Sequence, residues 1–84
     1  MSHAQQVAEA LAHIPAIKAA TTREQIGTIY ADIVGYDSAA EDPQASIESL
    51  RALALGVVQE ICYAENIPCA SVGLPEEDIA APAL

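Results

Sequence analysis

The chain has 84 residues, twelve acidic against three basic, and a net charge of −9. A surface of that sign repels nucleic acid and anionic membrane and favours basic proteins as partners. No stretch reaches the roughly 20 apolar residues of a membrane span, and residues 1–20 lack the basic start and apolar run of a secretion signal, so a cytoplasmic protein is expected.

Helix one is predicted over 2–14, where Ala4, Val7, Leu11 and Ile14 recur at helical spacing with Gln5, Glu9 and His13 opposite. Pro15 lacks an amide donor and crowds the preceding turn, so the helix should stop or kink there, with Ile17, Ala19 and Ala20 extending it. Helix two is predicted over 22–34. Thr21-x-x-Glu24 and Thr22-x-x-Gln25 both fit a capping box, and Ile26, Ile29, Tyr30 and Ile33 form an apolar stripe. Gly35 supplies a left-handed stop, with Tyr36 folding back on the last turn. Residues 36–45 lose all periodicity and read as a loop.

Ser46 is expected to cap helix three, predicted over 47–65, with Glu48 near its positive end. Ile47, Leu50, Leu53, Ala54, Leu55, Val57, Val58, Ile61, Cys62 and Ala64 spread over roughly 200° of its wheel, wider than the stripe of a surface helix. That places helix three at the centre of the molecule. Asn66 and Pro68 end it. Leu74-Pro75-Glu76-Glu77-Asp78 predicts one short helical turn at about 75–80. The fold class is all-α, an orthogonal or bundle-like array of three main helices in a single domain, 1–84, with 80–84 frayed. The core is aliphatic and small, with 18 alanines and no Phe or Trp. A homodimer is one way to add stability to such a core.

Nothing in the sequence assembles into a catalytic or metal-ligand constellation, so no enzyme activity, cofactor or metal is expected. His3 and His13 lie ten residues apart without a third ligand and read as solvated. Cys62 and Cys69 read as two reduced, packed thiols, with a disulfide as the alternative. Two acidic clusters remain: Asp37, Glu41 and Asp42 in the loop, and Glu76, Glu77 and Asp78 near the C-terminus. Neither has the ligand order of a calcium loop. Their functional reading is electrostatic, as patches for the lysines and arginines of a partner, with Glu60 and Tyr63 as further contacts; solvated surface is the competing reading. Ala52 and Gly56 are spaced small-x-x-x-small, and Ser49 shares their side of helix three. An interior glycine costs a helix about 1 kcal/mol relative to alanine, so a close approach by another helix or a second subunit is expected there.

Gly35-Tyr36-Asp37-Ser38 resembles the Gly-x-Asp-Ser of acyl carrier and peptidyl carrier proteins, which are also short, acidic and helical. The resemblance covers four residues and implies a phosphopantetheine arm on Ser38 at the start of a helix. Ala39 stands where that family has leucine, and Pro43 follows five residues on, so an ordinary turn is the leading reading. In size and charge alone, the chain resembles phage- or plasmid-encoded anti-CRISPR and anti-restriction proteins. The leading expectation is a non-enzymatic interaction module, in its sharper form an inhibitor or decoy covering the nucleic-acid-binding surface of a basic partner. A carrier protein and a structural homo-oligomer are the alternatives.

Overall fold

Capping chemistry sets the helix starts. A computed structural model describes residues 2–77 and 79. Helix α1, His3–Ala12, opens with Ser2, whose Oγ accepts from the Gln5 amide while the Gln5 side chain accepts from the Ser2 amide. At His13 the chain bends, and α2, Ile14–Ala19, continues with Pro15 in its first turn, where no amide donor is needed. The expected kink is therefore two residues earlier than the proline itself. Helix α3, Arg23–Val34, starts from the Thr22–Gln25 capping box, the second of the two anticipated pairs. It ends at Gly35, left-handed at φ 92°, as a C-terminal glycine should.

Residues 36–45 are not wholly irregular, which corrects the expected loop. Asp37 caps a single helical turn, α4, Ser38–Glu41, its Oδ1 accepting from the Ala39 and Ala40 amides at 2.9 and 3.1 Å. This turn has no apolar period because it is only four residues long. Its position depends on Gly27 of α3: a Cβ there would lie 2.2 Å from Asp37 Oδ1 and 2.9 Å from the Ala39 Cβ. A glycine in mid-helix is thus explained by the close approach of the next element.

Helix α5, Ile47–Ala64, starts from Ser46 and ends as Asn66 turns left-handed at φ 58°. It contacts α1, α2 and α3, and Leu50, Ala54, Val58 and Cys62 on it are buried in one apolar cluster with Ile14, Ile17, Ile26 and Tyr30. Its central place is as expected, but its buried arc is not the anticipated one. Leu53 and Ala64 are exposed, while Gln59, to which the sequence assigns no role, is buried; Gly56, where a close approach is expected, is buried too. Gln59 is covered by the C-terminal segment, bonding to its Pro75 and Glu77 carbonyls and its Ile79 amide.

A 3₁₀ turn, Cys69–Val72, entered from Pro68 and closed by Gly73 at φ 82°, precedes the segment where a short helical turn is expected at about 75–80. Residues 75–77 are not helical and 79 lies in a turn; the carbonyls of Pro75, Glu76 and Glu77 accept from side chains of α5. Asp78 and the tail at 80–84 lie outside the described residues. Cys62 and Cys69 are free and buried. Burial, the nearby charge of Cys69 and a hydrogen bond to it all push the Cys62 thiol up from its ordinary value, keeping it protonated.

Candidate interaction surface

The electrostatics start from where the three cations go. Arg51 donates from Nε and Nη2 to the carbonyls of Ile17 and Ala20, closing the C-terminal end of α2. Arg23 donates to the carbonyls of Ala45 at 2.7 Å, Asp42 at 2.8 Å and Ala39 at 3.3 Å, closing α4. Lys18 donates to the Gly73 carbonyl at the end of the 3₁₀ turn. Each sits where the carbonyl ends of a helical segment concentrate negative partial charge. Among the described residues, no aspartate or glutamate pairs with a lysine or arginine. The chain has used its few cations on its own backbone, and most of its described carboxylates are exposed without a lysine or arginine beside them.

Two carboxylates flank a groove of about 350 Å³ between α4 and the N-terminal half of α5. Tyr36, Leu50 and Leu53 give it an apolar wall, and Glu41 and Asp42, both exposed, stand beside them. Ser38 also lines it, 2% exposed, and its Oγ has no hydrogen-bond partner. Ser49, expected as a helix-packing or dimer contact, lines the same groove and accepts from Ser46 Oγ. Tyr36, 49% exposed, folds back on Tyr30 as expected: the rings meet edge to face with centroids 5.3 Å apart, and the hydroxyls are 3.3 Å apart. Burial, the Tyr36 hydroxyl and the charge of Glu60 push the Tyr30 phenol up to about 12. Asp37, assigned to the same acidic patch, is half-buried, and its Oδ1 is committed to capping α4.

The second acidic patch is spread along a seam. Gln59, fully buried, donates from Nε2 to the Pro75 and Glu77 carbonyls and accepts from the Ile79 amide at 2.9 Å. Tyr63 donates to the Glu76 carbonyl at 2.8 Å, and Glu76 Oε1 accepts from the Ala70 amide. Tyr63 and Glu76 therefore hold the segment down, while Glu60 and Glu77 stand exposed. Gln59 was not singled out in the sequence, because a glutamine beside Glu60 on a long helix reads as solvated until something covers it.

His3 is solvated as expected, 73% exposed, and His13 is half-buried. His3 Nε2 lies 2.9 Å from Glu65 Oε2, and His13 Nε2 lies 4.0 Å from Asp32 Oδ2, so each has a carboxylate beside it. They flank a groove of about 520 Å³ between α1, α3 and α5, into which Glu9 and Ile33 also project. Both pairs span elements far apart in sequence, which spacing along the chain could not reveal. Among the described residues, no group of three or more His, Cys, Asp or Glu is arranged to hold a metal ion.

The four residues that resemble a carrier motif place Ser38 at the start of α4, but in the floor of a groove and within a single helical turn. No described helix is long and apolar enough to cross a membrane. Comparisons with protein-family models, curated proteins and solved structures return no match, so the functional reading rests on the geometry alone.

Proposed function

We propose that this chain is a non-enzymatic, cytoplasmic protein–protein interaction module whose acidic surface docks on a basic partner. The supporting observation is the fate of its cations: Lys18, Arg23 and Arg51 all bond to backbone carbonyls, leaving the acidic side chains for an external counter-charge. Complementary charge steers encounter and suppresses wrong partners more than it adds affinity. The sharper form is an inhibitor or decoy that covers a nucleic-acid-binding surface, as anti-CRISPR proteins of similar size and charge do.

The experiment captures partners from the native host on the immobilised chain, identifies them by mass spectrometry and measures their affinity against ionic strength. A basic partner whose binding weakens steeply with salt is expected, since exposed pairs are screened over about 8–10 Å in ordinary buffers. An affinity unchanged by salt would sink the electrostatic account. Intact mass after co-expression with a phosphopantetheinyl transferase separates this reading from a carrier protein, which requires an added arm on Ser38. Light scattering across a dilution series separates it from an obligate homo-oligomer.

A further inference from the structure

The groove between α4 and α5 combines features that the remaining surface does not. Its volume of about 350 Å³ lies at the low end of ligand sites, enough for one long side chain and small for a nucleotide or cofactor. Its apolar lining includes the half-exposed ring of Tyr36 and Leu53, itself 38% exposed. Two carboxylates, Glu41 and Asp42, stand at the rim without a lysine or arginine partner. In the floor lies the Ser38 hydroxyl, the buried side-chain polar atom that is unpartnered among the described residues. A buried hydroxyl with no hydrogen bond is costly and calls for an explanation.

We infer that this groove receives an arginine side chain of the basic partner; the inference rests on the docking function proposed above. The aliphatic stem would lie between Tyr36 and Leu53, and the guanidinium would donate to the rim carboxylates and to Ser38 Oγ. Arginine suits the groove better than lysine on three grounds. Its planar head offers five donors to several acceptors, it stacks on aromatic faces, and it gives up hydration more readily than an ammonium. Arg23, the cation that approaches α4, has its Nε and Nη2 bonded to the carbonyls of Ala39, Asp42 and Ala45, so it does not occupy the groove.

The test is a chemical-shift titration of the ¹⁵N-labelled full chain with acetyl-Gly-Arg-Gly-amide and with its lysine and citrulline counterparts. The arginine peptide should shift the amides of Tyr36, Ser38, Glu41 and Asp42, the lysine peptide should do so more weakly, and citrulline, which is neutral, should leave them in place. Ser38→Ala, which folds without the orphan hydroxyl, should weaken the arginine peptide by about tenfold. Glu41→Gln provides the same test should Ser38→Ala perturb the fold, and Glu24→Gln, away from the groove, should leave binding unchanged. Citrulline binding as well as arginine, or lysine binding more tightly, overturns the assignment. If the arginine peptide shifts only other acidic positions and both groove variants bind like the wild type, the groove is wrong but the docking surface stands. Absence of any shift overturns the groove, and a salt-insensitive native complex would remove the docking function independently.

Discussion

Two segments of this protein lack helical periodicity, residues 36–45 and residues 73–77, and both are pinned through their carbonyls by a side chain from a neighbouring helix. At α4 the pin is Arg23, a cation reaching three carbonyls. On the back of α5 it is Gln59, a neutral amide that both donates and accepts. The Gln59 seam is closed, with its amide oxygen and nitrogen both bonded and its side chain out of water. The α4 corner is open, with an orphan serine hydroxyl in its floor and two carboxylates at its rim. A satisfied seam has nothing left to offer a ligand, and an unsatisfied groove has.

That contrast is broken most severely at Gln59. Gln59→Leu should cost about 3 kcal/mol, because it strands two carbonyls and an amide beneath the segment. Urea unfolding would measure this, and a loss below about 1 kcal/mol would show that the segment is held by Tyr63 and apolar contacts instead. Arg23→Met should cost about 2 kcal/mol, with the change confined to α4 and its flanks in hydrogen exchange. Gly27→Ala sets a gain in helix propensity of about 1 kcal/mol against overpacking on Asp37 and Ala39, and the clash should win by about 1 kcal/mol.

Ser38→Ala sharpens the comparison in the other direction. Removing an unpaired hydroxyl should stabilise the free protein by up to about 1 kcal/mol, read as a rise in melting temperature, whereas a surface serine would show no change. An effect of a different kind is expected at high pH. Folding favours the neutral phenol of Tyr30, whose value rises from 10.0 to about 12. Its contribution to stability is therefore complete below pH 10 and lost as pH climbs towards 12. Tyrosinate absorbance of the wild type against Tyr30→Phe isolates this step, and a Tyr30 step at its ordinary value would contradict the packing of Tyr36 over it.

Most of the helical frame was legible in the chain because its determinants are local. Thr22 with Gln25, Ser46, Gly35 and Asn66 mark helix ends through bonds or backbone angles that span a few residues, and the aliphatic period of α5 identifies the central helix. The single turn α4 was not legible, since four residues are too few to show a period. The histidine pairs and the groove were not legible either, as they join residues far apart in the chain.

What the sequence alone determined is a small all-α chain, deficient in cations, with α5 at its centre. Only the tertiary structure decided that Gln59 is buried, that the C-terminal segment crosses α5 in place of forming a helix, and that all three cations serve carbonyl ends. The physical reason is that capping and amphipathicity act within a turn or two of chain. Desolvation and the partnering of a carbonyl, a hydroxyl or a carboxylate depend on what another segment brings against it.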